Sequence, residues 1–120
     1  MIGIAGGGGF IGGHLVSYFK DKGFSNIRCV DIKPMHDWYQ VHDDVENVVA
    51  DLQDYYNCKA ACTDAAEVYN LAADMGGMGF IENNKALCML SVLINTHLLM
   101  ASKQAGVERF FYASSACVYN

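Results

Sequence analysis

The sequence predicts an α/β fold, a doubly wound parallel sheet with helices on both faces. Short, almost continuously apolar runs alternate with helical patterns along the chain. This alternation is typical of strands that are buried on both faces of a parallel sheet. The first run leads into the glycine-rich segment "AGGGGFIGG", residues 5–13. A turn of this kind between a strand and a helix is typical of Rossmann-like folds, so we expect five strands in the order 3-2-1-4-5.

The first half of the chain contains three predicted strands and one clear helix. The helix is predicted because apolar side chains recur at helical spacing from Phe10 to Phe19, and Gly23 is a suitable stop. Pro34, three aspartates and two histidines mark the stretch after the second strand as a loop. The predicted segments are a strand at 1–6, the helix at 10–23, a strand at 26–32, the loop at 33–45 and a strand at 47–51.

The second half continues the alternation with longer segments. Its central feature is the helical pattern "FIENNKALCMLSVLINTHLLMASKQAG", which ends at Gly106. The predicted segments are a polar helix or turn at 52–64, a strand at 66–73, the long helix at 80–106 and a strand that opens at 108.

Size and composition restrict the class of protein. A chain of 120 residues with 52% hydrophobic residues is sufficient for one folded domain and excludes disorder. A net charge of −5 argues against nucleic acid as a partner, because phosphate binding needs concentrated basic residues. We find no signal-peptide pattern, and the apolar stretch 86–101 is too short and too polar to span a bilayer. We therefore expect a cytoplasmic protein with no membrane partner.

The five cysteines and four histidines do not predict a metal site. No CxxC pair occurs, and Cys58 and Cys62 have only a weak zinc-like spacing without matched histidines. His36 and His42 lie in the acidic loop, where solvated side chains are the simpler interpretation. We expect four of the five cysteines to be reduced thiols packed as small apolar groups.

The glycine run predicts a dinucleotide site. It fits G-x-G-x-x-G through Gly7, Gly9 and Gly12, and G-x-x-G-x-x-G through Gly6, Gly9 and Gly12, and the spacing does not choose between them. Such glycines let the backbone approach a pyrophosphate at a helix N-terminus. Asp31 ends the second strand, where an acid binds the ribose hydroxyls of NAD and disfavours a 2′-phosphate. The cofactor is therefore predicted to be NAD.

Asp51 ends the third strand and is followed by Leu52. The acid has two interpretations: a contact with the adenine end of the cofactor, or a solvated helix cap.

Three segments resemble a known family. "AGGGGFIG" resembles the "TGxxGFIG" start of the extended short-chain dehydrogenase/reductase family, the nucleotide-sugar epimerases and dehydratases. "RFFYASSACVY" resembles that family's fifth strand, which ends in a catalytic Ser or Thr and a "VY" pair. Together with "NLAADMGGMGFI", it is most similar to the GDP-mannose 3,5-epimerases within the family.

The resemblance implies an isomerase that acts on a GDP-sugar through a 4-keto intermediate, giving GDP-L-galactose and GDP-L-gulose from GDP-mannose. Oxidation at C4 makes the protons on C3 and C5 acidic, so an acid/base pair inverts each centre before the hydride returns. Ser115 would hydrogen-bond the C4 oxygen, and Cys117 would be one acid/base group. The resemblance also implies that Met75, Gly76, Gly77 and Met78 contact the substrate together with Ser115 and Cys117. The implied cofactor contacts are Gly6, Gly9, Phe10, Ile11, Gly12, Asp31, Asp51, Leu52, Leu71, Ala72 and Ala73.

Part of the family's machinery is absent from these 120 residues. The catalytic Tyr-x-x-x-Lys pair would follow the "VY" strand, and Tyr119 cannot supply it because no residue lies four positions further on. We interpret the chain as the NAD-binding Rossmann domain, residues 1–120, of a longer enzyme whose substrate domain is missing. We expect it to be inactive alone and the whole enzyme to be a homodimer. The alternatives are another epimerase or dehydratase of the family, and a non-catalytic NAD-binding module.

Overall fold

A computed structural model describes residues 1–72 and 84–113 and shows one parallel sheet with three α-helices. A short 3₁₀ helix, Met35–Asp37, lies in the predicted loop. The elements in chain order are β1 (Ile2–Ala5), α1 (Phe10–Asp21), β2 (Ile27–Asp31), β3 (Glu46–Val49), α2 (Tyr55–Cys62), β4 (Glu67–Asn70), α3 (Asn84–Ala105) and β5 (Arg109–Tyr112). The sheet order is β3-β2-β1-β4-β5, which confirms the predicted fold class and strand order.

The central strand β1 sets the alignment of the sheet. All four of its residues are buried, as its uninterrupted apolar sequence predicts. It pairs in parallel with β2 and with β4, so that Ala5 lies between Val30 and Asn70. The carboxyl ends of these three strands therefore meet at one edge of the sheet, where the following residues Gly6, Asp31 and Leu71 come together.

The helices cover both faces of the sheet, as predicted. On one face, α1 packs Val16 and Phe19 into a core cluster with Ile4 and Ile27. On the other face, α2 and α3 form the larger cluster, which includes Cys58, Cys62, Ile94, Leu98 and Val30.

Glycine residues end two helices as the sequence predicts. Gly23 follows α1 with φ of 93°, and Gly106 follows α3 with φ of 78°. Both angles lie in the left-handed region that glycine adopts without a steric penalty. At the start of α2, the Asp54 carboxylate accepts a hydrogen bond from the backbone N–H of Tyr56 at 2.9 Å. A side-chain cap of this kind satisfies one of the unpaired donors of the first helical turn.

The predicted length of the fourth strand needs correction, whereas three of the cysteines are as expected. The predicted fourth strand, residues 66–73, is shorter in the structure because the Ala72 N–H donates to the Asn70 side chain instead of to a strand. Cys29, Cys58 and Cys62 are free and buried, as expected for reduced thiols that pack as small apolar groups.

Arg28 of β2 holds the C-terminal end of α2 against the sheet. Its Nη1 donates to the backbone carbonyls of Ala60, Ala61 and Thr63 at 3.1, 3.0 and 2.8 Å. Its Nε lies 3.1 Å from Glu46 Oε1, and the side chain is only 11% exposed. The last carbonyls of a helix have no partner within the helix, and a cation there is also favoured by the helix dipole.

We predict that Arg28→Met lowers the free energy of unfolding by about 1–3 kcal/mol, because it leaves these carbonyls without their charged donor. Urea denaturation monitored by circular dichroism measures the change. Arg109→Met is the matched control, since Arg109 is 70% exposed and lies 3.8 Å from Glu67. A loosely paired, exposed arginine contributes less than about 0.5 kcal/mol. Equal losses in the two variants would contradict the role of Arg28.

Candidate functional site

The glycine turn after β1 is shaped by two close approaches. Gly6 has φ of 81°, and a Cβ there would lie 2.6 Å from the carbonyl carbon of Leu71. A Cβ on Gly12 would collide with the carbonyl oxygen of Gly6. The first turn of α1 and the segment after β4 therefore both press directly on Gly6. These are the tight-turn and helix-packing roles of the first and third glycines in a dinucleotide-binding turn.

Gly9 differs from its neighbours because packing does not require a glycine there. Its backbone is extended, with φ of −82° and ψ of 176°. Among the described atoms, an added Cβ would meet only the Gly6 carbonyl oxygen, at 3.5 Å. The middle glycine of the motif therefore leaves open space above the turn, where a ligand's phosphates can approach the backbone. The roles of these residues favour the G-x-x-G-x-x-G motif, which runs through Gly6, Gly9 and Gly12.

The N-terminus of α1 is available to an anion. Gly9 is the N-cap, and within the described part of the chain no side chain caps the helix and no acid lies in its first turn. Phe10 and Ile11 are 58% and 68% exposed. The N–H groups of the first turn, which have no partner within the helix, and the positive end of the helix dipole therefore lie beside the open space at Gly9. These features fit the pyrophosphate of a dinucleotide.

Asp31 lies at the end of β2 beside this turn. It is buried, and Oδ2 accepts a hydrogen bond from the Gly8 N–H at 3.0 Å. Oδ1 accepts one from the Lys33 N–H, also at 3.0 Å. Each carboxylate oxygen can accept a second hydrogen bond. The structure therefore places the predicted ribose acid next to the predicted phosphate turn and fixes its orientation.

Asp51 organises a local turn before α2. Its Oδ1 accepts from the Gln53 N–H at 2.9 Å, and its carbonyl accepts from Asn57 Nδ2 at 2.9 Å. Leu52 is buried in the larger core cluster. The Ala50 N–H donates to the Asp31 carbonyl, which joins this segment to the end of β2. The helix-cap interpretation of Asp51 is wrong, because the N-cap of α2 is Asp54 and Asp51 only forms the turn before it. An adenine contact by Asp51 and Leu52 stays a prediction.

Asn70 is a positioning residue that the sequence analysis missed. It is 1% exposed at the end of β4, and its Nδ2 donates to Asn95 Oδ1 of α3 at 2.9 Å. Its Oδ1 accepts from the Ala72 N–H at 3.0 Å, and its carbonyl accepts from the Ala113 N–H at 3.2 Å. Asn70 therefore holds Leu71 and Ala72 over Gly6. The available signal was an amide side chain close to the carboxyl end of a predicted strand, "AEVYNLAA".

Cys29 lies behind the glycine turn but has no chemical role there. A Cβ on Gly7 would fall 2.8 Å from the Cys29 Cβ, so the thiol packs closely under the turn. Burial raises the pKa of Cys29 to about 12. The side chain is a neutral packing group, since only a thiolate is strongly nucleophilic.

The remaining predicted site residues lie outside the described residues. They are Ala73, Met75, Gly76, Gly77, Met78, Ser115 and Cys117. In the ranges 1–72 and 84–113, no group of three or more His, Cys, Asp or Glu side chains is arranged to hold a metal ion. None of the helices in these ranges has the length and apolarity that crossing a membrane requires.

The glycine turn, the helix without a side-chain cap and the acid at the end of β2 together define a dinucleotide-binding protein of the Rossmann class. The profile of the NAD dependent epimerase/dehydratase family matches residues 2–120. The chain belongs to this family, whose description names the predicted cofactor, NAD.

Comparison with individual proteins shows which members of the family the chain is similar to. The chain is 39% identical over 125 residues to GDP-mannose 3,5-epimerase 1 of Oryza sativa subsp. indica, covering 98% of this chain and 31% of that protein. It is 40% identical over 119 residues to GDP-mannose 3,5-epimerase of Arabidopsis thaliana, with the same coverage. The solved structure of MoeE5 in complex with UDP-glucose and NAD matches with a TM-score of 0.76 at 30% identity, over 99% of this chain and 38% of that one. The chain spans about a third of the length of the curated relatives it matches. The predicted resemblance is confirmed.

We predict opposite effects from alanine at two adjacent glycines of α1. Gly12→Ala lowers the free energy of unfolding by about 1–3 kcal/mol, because its Cβ must displace the Gly6 carbonyl. Gly13→Ala is neutral or stabilising by up to about 1 kcal/mol, since its Cβ would lie 3.4 Å from the Gln40 side chain and alanine favours helix. Thermal and urea unfolding of the two variants measure this difference. A Gly12→Ala chain as stable as the parent would contradict the close packing of α1 on the turn.

Proposed function

We propose that this chain is the NAD-binding part, residues 1–120, of a longer nucleotide-sugar epimerase that acts on GDP-mannose. The observation that carries the proposal is the open space at Gly9, which lies between an uncapped helix N-terminus and the carboxylate of Asp31. The similarity to two plant GDP-mannose 3,5-epimerases supports the choice of substrate.

The cofactor would lie along the carboxyl edge of the sheet. The backbone at Gly6, Gly9 and Gly12, with the first turn of α1, would hold the pyrophosphate. Asp31 would accept hydrogen bonds from the ribose hydroxyls of the adenosine. The other proposed contacts are Asp51 and Leu52 towards the adenine, and Leu71, Ala72 and Ala73 towards the nicotinamide half.

The substrate chemistry would take place beyond the nicotinamide. When bound, the cofactor supplies reversible hydride transfer at C4 of the sugar, and it ends unchanged. Ser115 would hydrogen-bond the C4 oxygen, and Cys117 would move a proton at a carbon next to the C4 carbonyl. Met75, Gly76, Gly77 and Met78 would line the sugar. The Tyr-x-x-x-Lys pair and the second acid/base group would come from the rest of the longer protein.

The assembly we propose for the longer protein is a homodimer. α3 carries an exposed apolar stripe at helical spacing, formed by Met89, Val92, Leu93, Leu99 and Met100. Apolar stripes of this kind on a helix are typical of faces that pack against another helix. A cytoplasmic location stays a prediction from the sequence.

We predict that Gly9→Ala separates ligand binding from folding. The variant unfolds at the same denaturant concentration as the parent, because its Cβ has room and its backbone angles suit alanine. Its dissociation constant for NAD⁺ rises at least about tenfold, since the Cβ occupies the space that the pyrophosphate approaches. Isothermal titration calorimetry measures the affinity. Unchanged NAD⁺ affinity in Gly9→Ala would mean that the open space does not face the cofactor.

The activity itself is tested on the longer protein with GDP-mannose in deuterated water. We expect deuterium to enter C3 and C5, as followed by NMR, because both centres are deprotonated in the 4-keto sugar. Cys117→Ala should slow exchange by about 10²–10⁴-fold, the range for one general acid/base. Cys62→Ser is the control, since Cys62 is a fully buried core thiol beside Ser102. Exchange at the parent rate in Cys117→Ala would exclude the thiol as an acid/base group. A longer protein that exchanges neither proton would exclude the 3,5-epimerase activity.

A further inference from the structure

We propose that Trp38 is a positioning residue that fixes the Asp31 carboxylate and thereby sets the preference for NAD⁺ over NADP⁺; this inference rests on the proposed cofactor site. The loop that carries Trp38 folds back onto the glycine turn. Trp38 is 7% exposed, although Asp37 and Tyr39 on either side of it are exposed. An indole that is buried inside an exposed loop has a specific packing partner, and here that partner is Gly8.

The indole ring lies directly against the backbone of Gly8. A Cβ on Gly8 would fall 2.7 Å from both Cδ1 and Cγ of Trp38. Gly8 is not among the glycines of the described chain that have a positive φ. Its lack of a side chain is therefore explained by the indole and not by backbone conformation. The Tyr39 N–H also donates to the Gly8 carbonyl at 2.9 Å, which fixes the peptide on its other side.

A second set of hydrogen bonds joins Trp38 to the other side of Asp31. The indole Nε1 donates to the Lys33 carbonyl at 2.8 Å. The Lys33 N–H donates to Asp31 Oδ1, while the Gly8 N–H donates to Asp31 Oδ2. Trp38 thus holds both of the residues whose N–H groups orient the carboxylate. The ring contact with Gly8 and the indole hydrogen bond to Lys33 therefore support the Asp31 carboxylate from both sides.

The orientation of the Asp31 carboxylate affects which cofactor binds. A carboxylate at this position accepts hydrogen bonds from the ribose hydroxyls and repels a 2′-phosphate. Both effects depend on where the carboxylate points, because they act over hydrogen-bonding distances. Without Trp38, the Lys33 and Gly8 peptides lose their common support and the carboxylate is free to turn away. The affinity for NAD⁺ then falls, while the carboxylate no longer repels the 2′-phosphate of NADP⁺. The ratio of NAD⁺ affinity to NADP⁺ affinity therefore decreases.

This role of Trp38 could not be predicted from the sequence. Residues 33–45 are predicted to form an acidic loop, and the only tryptophan of the chain lies there beside a single tyrosine, Tyr39. The backbone fold of the loop, which includes the 3₁₀ helix Met35–Asp37, brings Trp38 back to a glycine thirty positions earlier.

The test is calorimetric titration of the chain and its variants with NAD⁺ and with NADP⁺. Trp38→Ala should lower the ratio of NAD⁺ to NADP⁺ affinity by about tenfold or more. Trp38→Phe keeps a ring on Gly8 but removes the indole N–H. Its ratio of NAD⁺ to NADP⁺ affinity should therefore lie between those of Trp38→Ala and the parent. Gly8→Ala, which pushes the indole away, should lower the ratio in a chain that still has its tryptophan. In a double-mutant cycle, Gly8→Ala should have little further effect once Trp38→Ala has made room for the methyl group.

Phe19→Leu is the control for simple loss of stability. Phe19 is a buried aromatic of the same core cluster, and its ring contacts Tyr69, whereas the atoms nearest a Cβ on Gly8 belong to Trp38. Phe19→Leu should leave the affinity ratio unchanged. If Trp38→Ala and Gly8→Ala weaken both cofactors equally, Trp38 is only a packing residue and the proposal is overturned. If the parent chain folds but binds neither cofactor, the proposed function fails together with this inference.

Discussion

The contact on which the rest of this structure depends is the close approach of α1 to the end of β1. It is possible only because Gly12 has no side chain to meet the carbonyl of Gly6. With the helix seated so closely, its first N–H groups point over the carboxyl edge of the sheet. A larger residue at Gly12 would lift the helix and remove the anion-binding end from that edge. The tight packing therefore serves the fold and the site at the same time.

The other parts of the site are attached to this contact. Asn70 holds the segment after β4 over Gly6 through bonds to α3 and to the end of β5. Asp31 is tied to Gly8 from the opposite side. The strands bring these residues together because their carboxyl ends are in register at Ala5, Val30 and Asn70. A polar edge is thus built from residues that are far apart in sequence, and its buried polar groups are satisfied by backbone partners and by the Asn95 side chain.

Several features were predictable from the sequence because each depends on local chemistry. The alternation of apolar runs and helical patterns predicted the five strands and their order, and Gly23 and Gly106 end helices as expected. Asp31 follows its strand as the motif requires. The separate roles of the glycines were not predictable, because Gly9 differs from Gly12 only in which atoms surround it. The roles of Asn70 and Trp38 were missed because their partners are distant in sequence. In addition, the composition of a loop, such as the one that carries Trp38, does not predict its backbone conformation.

The most direct test of the central claim is a two-dimensional ¹H–¹⁵N NMR titration of the chain with NAD⁺. The account predicts that the largest amide shifts occur at Gly9, Phe10 and Ile11, with a further shift at Asp31. Amides at the C-terminal end of α2 should not move, because that helix end is held by Arg28 away from the glycine turn. A folded chain whose first α1 turn is unaffected at millimolar NAD⁺, or whose shifts lie elsewhere, would contradict the account.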